Sequence, residues 1–340
     1  MQPSGNPMAR VDFCRGRIEM ESAILLVTVF AAGSLLAGSQ EDRNPSKLLA
    51  AAREQSDIFN TAPRPFLLEA DLTVQLEAPV QGHLTIHWQS KNHWRRELEF
   101  GAYKETVVRV GESEYALRNV GFAPLRATQV VYLIEFAKQD ARIAARSEKT
   151  HIRNGALLTC MGLEATGSNG HYEMCADSAT HEILSYNPWP YGLDGGSAEF
   201  SSYVGIEEMQ FPKHLELRNG KVPAVTVNVT KLEDQALDAN LLTPPPGATE
   251  RRYCEVMTPP LMIQKPDIAS LRGFSGDVHV RLQVTVLTDG SVGAIQVIGQ
   301  NSAEAADRVR KLWKDARYKP AMCGTEPVVA DDQAGLDITH

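Results

Sequence analysis

The sequence predicts an α+β protein, and three patterns carry the prediction. Apolar residues alternate with polar ones over most of residues 68–232, one stretch of helical period precedes that alternation and another interrupts it, and residues 278–338 read strand, strand, helix, strand. Helices segregated against an antiparallel sheet are the layer arrangement that fits such an order.

Asn44-Pro45 opens the first helix, with proline at the first helical position, and the apolar stripe of Leu48, Leu49, Ala52 and Phe59 carries it to about residue 59. The period then switches to two. Leu68, Ala70, Leu72, Val74 and Leu76 alternate with polar neighbours, as do Leu84, Ile86 and Trp88, and then Trp94, Arg96, Leu98 and Phe100. Val107–Val110 and Tyr115–Leu117 follow as further strands. Turn signals at Ala78-Pro79, Lys91-Asn92 and Gly111-Glu112 separate these runs, so they read as an antiparallel meander. A second helix is expected from Thr128 to about Ala145, where Val131, Ile134, Ala137 and Ala141 share one side.

Strands resume at 151–161, 171–177, 181–186, 199–209, 211–218 and 222–232, with residues 187–196 as the longest irregular stretch. Asn219-Gly220 is the strongest hairpin signal, because both residues accept positive φ. Pro244, Pro245 and Pro246 can join neither a ladder nor a helix interior, so they mark a domain boundary. Beyond it, Val278, Val280, Leu282, Val284 and Val286 alternate, residues 288–291 (TDGS) turn, and Val292–Val297 return. Asn301, with Glu304 three residues on, forms a capping-box pattern for a helix whose apolar face is Ala305, Val309, Leu312, Trp313 and Ala316. Pro320 stops that helix, and 327–338 supply the last strand.

Composition narrows the class. Of 340 residues, 43% are hydrophobic and 22% charged. That is an ordinary globular balance, which excludes a disordered, collagenous or multi-spanning membrane protein and suggests two domains. The net charge of −8 gives no electrostatic reason to expect a nucleic-acid partner.

The N-terminus points outside the cytoplasm. Residues 22–39 (SAILLVTVFAAGSLLAGS) carry no charge, follow Arg10, Arg15 and Arg17, and end in small residues before a polar stretch. This is the pattern of a secretory signal cleaved after Ser39, with an uncleaved inner-membrane anchor as the alternative. The organisation expected is a leader over 1–39, a first domain over 40–247, a Pro-rich linker over 248–265 and a second domain over 266–340.

Loss of the leader removes Cys14 and leaves Cys160, Cys175, Cys254 and Cys323, an even number suited to disulfides in an exported chain. Cys160 and Cys175 fall on neighbouring strands around the turn 167–170 (GSNG), which favours that pair and leaves Cys254 with Cys323. Four buried free thiols are the alternative. There is no C-x-x-C and no His/Cys cluster, so neither redox catalysis nor structural zinc is expected.

Leu84, Ile86, Trp88, Trp94, Arg96, Leu98 and Phe100 are the candidate binding wall. They share one face of adjacent strands, and an apolar concave face with few polar groups suits an acyl or other apolar ligand, although a plain core has the same pattern. An inward arginine needs a partner, either a ligand headgroup or a turn to solvent. His83 and His87 lie about 13 Å apart on a strand, too far for one ion. No nucleophile elbow, P-loop or dinucleotide fingerprint is present, so neither a catalytic residue, a metal nor a cofactor is expected.

Two stretches resemble known families. Residues 276–290 (GDVHVRLQVTVLTDG), 312–321 (LWKDARYKPA) and 324–328 (GTEPV), with Pro266 upstream, resemble the C-terminal domain of TonB-type energy transducers. That resemblance implies a small β-β-α-β domain in the periplasm. It would dock to an envelope partner such as an outer-membrane receptor by strand addition, here through an edge strand at 327–338. The apolar run 22–39 lacks the histidine of such transducers, and a β-rich domain stands where their spacer would be. Residues 45–246 more loosely resemble LolA-like lipoprotein carriers and sorting proteins, in the order of their elements, in 211–217 (FPKHLEL) and in 237–245 (LDANLLTPP). That likeness implies an incomplete, curved antiparallel barrel covered by helices around a cavity for acyl chains. The function expected is a non-enzymatic periplasmic binding protein, with a lipid or lipoprotein carrier and a TonB-type transducer as alternatives.

Overall fold

A computed structural model describes residues 44–138, 143–153, 155–165, 171–188, 196–220, 222–252, 254, 257–271 and 277–338. The expected leader 1–39 and the expected turn 167–170 lie outside the described residues.

Two helices come first, α1 (Pro45–Ser56) and α2 (Ile58–Thr61). The Asn44 side chain accepts a hydrogen bond from the Ser46 amide and caps α1, and the break at Asp57 divides what the sequence presents as one helix. The meander follows as β1 (Phe66–Gln75), β2 (Pro79–Ser90), β3 (His93–Phe100), β4 (Tyr103–Val110) and β5 (Ser113–Arg118), then α3 (Leu125–Ile134). The second run is β6 (Ile143–Arg153), β7 (Ala156–Ala165), β8 (His171–Asp177), β9 (Ile183–Asn187), β10 (Ser197–Ile206), β11 (Met209–Asn219) and β12 (Val222–Asp234). Short strands occupy the next stretch: β13 (Thr249–Glu250), β14 (Met257–Thr258) and β15 (Leu261–Gln264). The chain closes with β16 (Val278–Val286), β17 (Val292–Gln300), α4 (Ala303–Trp313), β18 (Arg317–Lys319), β19 (Ala321–Cys323), β20 (Glu326–Val328) and β21 (Ala330–Ile338).

The expected α+β class is overturned. Among the described residues four short helices stand against twenty-one strands, and every strand pairing is antiparallel, so the protein is mostly antiparallel β. The main cause is residues 128–145. Helix α3 ends at Ile134, and Ile143 and Ala145 pair instead with Ala165 and Leu163 of β7. A run of Ile and Ala fits either period, and the neighbouring strand decides it. The expected strand 151–161 is in turn a hairpin at Gly155, and the cap of α4 is Ser302 rather than Asn301.

One open sheet holds thirteen strands in the order β13-β5-β4-β3-β2-β1-β12-β11-β10-β9-β8-β7-β6. Laid flat at the usual strand spacing it would be about 58 Å wide, far more than α1, α2 and α3 could cover. A single core nevertheless joins residues of β1 to β4 and β6 to β12 to all three helices, with Phe66, Leu68, Leu72, Leu84, Leu133 and Phe211 at 0% exposure. Its inner face is therefore wrapped around the helices. Each such fully buried side chain contributes roughly 1.5–3 kcal/mol. Gly82 permits the close approach of β2 and β3, since a Cβ there would lie 2.3 Å from the Glu99 carbonyl oxygen.

A second core lies under α4, where Val280, Val284, Ala305 and Val309 at 0% exposure pack between the helix and the sheet β17-β16-β21. Gly290, at φ +80°, sits in the β16–β17 turn, and any Cβ there would meet the Tyr318 carbonyl at 2.0 Å. The two sheets meet along a buried polar seam. Arg126 of α3 faces Asp331 of β21 at 3.4 Å, and Gln296 of β17 donates to the Pro223 carbonyl at 3.0 Å. The stretch 248–265 adds β13 to the large sheet beside β5, β14 to β19-β20, and β15 to β18. Disulfides join Cys160 to Cys175 across β7 and β8, and Cys254 to Cys323 across 69 residues.

Candidate functional site

Strands β2 to β5 carry inward rows that change chemistry as they cross the sheet. One row runs Trp88, Trp94, Arg109, Glu114; the next Ile86, Arg96, Val107, Ala116; a third Leu84, Leu98, Glu105, Arg118. Period-two placement thus keeps β2 apolar and brings charge in at Arg96 of β3, Glu105 and Arg109 of β4, and Glu114 and Arg118 of β5, on one continuous face. Above that face a cleft of about 700 Å³ opens, bounded by Phe59 of α2, by Leu125 and Val131 of α3, and by Cys254 and residues 328–330 near the C-terminus. That volume lies in the range of small-molecule sites.

Of the seven candidate wall residues, Ile86, Trp88, Trp94 and Arg96 line the cleft. Leu84, Leu98 and Phe100 lie deeper, at 0%, 1% and 5% exposure in the core beneath it. The Trp88 indole donates to the Phe59 carbonyl at 3.2 Å and stacks on Phe66 at 5.0 Å, which fixes its ring as part of the wall.

The charged end is a linked set. Glu105 accepts from Arg118 at 2.5 Å and Arg96 at 3.4 Å, all three side chains being at least nine-tenths buried. Glu114 pairs with Arg251 at 2.6 Å and Arg109 at 3.3 Å. Burial alone would push the Glu105 carboxyl up, but Arg96 and Arg118 outweigh it and hold the group below the usual carboxylate range. The Nε of Arg96 is buried with no hydrogen-bond partner, and its guanidinium lies 5.6 Å from the Trp94 ring centre. Seven cationic against five carboxylate side chains line the cleft, a positive surplus in a chain of net charge −8. At the rim, burial raises the Asp57 carboxyl and Glu135 raises the neighbouring Lys138.

The sequence placed Arg96 on the inward face but not its partners. Glu105 reaches Arg96 and Arg118 through cross-strand register, and Glu114 reaches Arg109 and, beside the β13 addition, Arg251. The unaccounted inward arginine was the one signal that partners existed. Among the described residues Cys160, Glu173 and Cys175 have metal-ligand spacing, but their two sulfurs are joined in a disulfide. No described helix is long and apolar enough to cross a membrane.

No protein-family model matches the chain, so the likeness of residues 266–340 to TonB-type domains finds no support there, and no curated protein matches it. Solved structures do. A LolA superfamily protein of Nitrosomonas europaea is 8% identical, with a TM-score of 0.40 over 57% of this chain and 97% of its own. A domain of a Vibrio parahaemolyticus protein described as a putative outer membrane lipoprotein-sorting protein is 12% identical, with a TM-score of 0.41 over 58% of this chain and 96% of its own. A chain of the Pseudomonas aeruginosa MucA/MucB complex is 13% identical, with a TM-score of 0.26 over 78% of this chain and 96% of its own. All three are distant.

Proposed function

We propose that this chain is an exported, non-catalytic binding protein of the cell envelope whose cleft holds an amphiphile with an acyl tail and an anionic head. The carrying observation is the division of one cleft into an apolar wall of Ile86, Trp88 and Trp94 and a cationic end built around Arg96, Arg118 and Arg251. The tail lies against the tryptophans, and the head meets guanidinium groups whose fixed geometry suits carboxylate or phosphate. Export is supported by the leader pattern at 22–39 and by two disulfides. A protein partner is the second reading, favoured by the position of β21 at the edge of its three-stranded sheet.

Tryptophan emission, with the full chain titrated against dodecyl phosphate, dodecanol and dodecyltrimethylammonium, tests the ligand reading. The phosphate should bind at least about tenfold tighter than the cationic amphiphile, a difference of about 1.4 kcal/mol, and Trp94→Ala should weaken it. Equal affinity for all three heads would defeat the anionic assignment. Native mass spectrometry of the chain after mild extraction adds the source: a carrier retains a mixture of lipids.

A further inference from the structure

A second surface, away from the cleft chemistry, shows a different recognition pattern. Among the described residues strand β15 pairs on one side only, with β18, through Leu261 opposite Lys319, Met262 opposite Tyr318 and Gln264 opposite Arg317. The far side of β18 is already engaged, since the Tyr318 amide donates to the Gly290 carbonyl at 2.9 Å. The open main-chain edge therefore belongs to β15. Met262 packs inward on the core under α4, which leaves Leu261 and Ile263 outward at 62% and 68% exposure. Ile263 is among the most exposed large apolar side chains described.

Natural edge strands are kept short and charged to prevent pairing. This one is short, and Pro260 and Pro266 bracket it, but its outward side chains are leucine and isoleucine. Exposed Lys265, Arg317 and Lys319 surround them, and among the described residues none of these three forms an ion pair. Carboxylates lie close by in the chain as well: Asp315 is exposed, Asp267 accepts from the Ala269 amide, and Asp289 accepts from Ser291, its acidity strengthened in small part by Arg317. The edge thus offers backbone hydrogen bonds, two apolar contacts and a cationic rim.

We propose that β15 is a docking edge for an extended polypeptide that is apolar at alternate positions and acidic between them. The added strand pairs with the free edge of Leu261–Gln264, its apolar residues cover Leu261 and Ile263, and its carboxylates meet Lys265, Arg317 and Lys319. The bracketing prolines confine the addition to one short segment. A second copy of this chain is disfavoured as occupant, because pairing β15 with itself would bring two cationic rims together. A membrane surface would leave the backbone edge unused.

Fluorescence polarisation with the full chain tests this, using fluorescein-labelled hexapeptides that alternate glutamate with valine, lysine with valine, or glutamate with valine N-methylated at alternate amides. The glutamate peptide should bind at least about tenfold tighter than either control, and Ile263→Asp and Lys319→Glu should each weaken it by a similar factor. Both substituted side chains are exposed, so melting should not move. Equal binding of all three peptides, no binding, or indifference to Ile263→Asp overturns the proposal. So does flotation with phosphatidylglycerol vesicles, or a concentration-dependent dimer in sedimentation, that Ile263→Asp abolishes.

Discussion

Two buried carboxylates, Glu105 in the cleft and Asp331 in the seam, face arginines at the same 3.4 Å and have opposite acidities. Glu105 has two guanidinium groups upon it, with Arg251 contributing, and stays ionised below the usual range. Asp331 has one, Arg126, and burial wins: its carboxyl is raised even though Thr285 donates to it at 2.9 Å and Gln283 donates as well. The rest of the seam is neutral amide. Gln129 accepts from Arg126 at 2.6 Å, and Asn219 donates to Gln283. The seam holds one cation to one carboxylate, with Gln129 Nε2 and Asn219 Oδ1 buried beside them without a hydrogen-bond partner among the described residues. The cleft holds cations in excess. The seam thus balances its charge internally and the cleft does not.

Removing the seam cation should break this contrast most severely. Arg126→Ala leaves Asp331 buried and unpaired, and should cost about 3–5 kcal/mol in urea unfolding. Arg96→Ala should cost less, because Glu105 keeps Arg118. If the two losses are equal, the difference in partner number has no energetic meaning.

The disulfides give the next largest effect. Cys254–Cys323 spans 69 residues and Cys160–Cys175 spans 15, so loop-closure entropy puts their losses at about 4 and about 3 kcal/mol. Paired Cys→Ser variants, melted separately, should keep that order, and only loss of the first should loosen the cleft wall and weaken dodecyl phosphate binding.

Acidity gives the smallest effect. Glu105 is held below its ordinary value, so its stabilisation is full above that value and is lost as pH falls through the folded one. Asp331 is raised, so the folded state binds its proton more tightly and stability declines as pH rises through its window. Measured from pH 7 down to pH 3.5, the deficit of Glu105→Gln against the parent chain should shrink, and that of Asp331→Asn should grow. Parallel deficits would remove the contrast altogether.

Much of the sheet was readable in the sequence, because alternation and turn chemistry are local. The run Val278 to Val286 is β16 to the residue, and Asn219-Gly220 turns where β11 ends. Residues 128–145 were misread because Ile and Ala at mixed spacing satisfy two periods. The apolar half of the cleft was legible for the same local reason as the strands. The charged half was not, since Glu105 reaches Arg96 and Arg118 only through register between strands. The seam was invisible, as Arg126 and Asp331 belong to elements far apart in the chain.

Cys254 borders the cleft, and its sulfur bridge reaches the β19–β20 hairpin. Its closure is therefore an oxidation event as well as a folding event. In a reducing compartment that side of the receptacle has no covalent tether. Exposure to an oxidising one completes that tether.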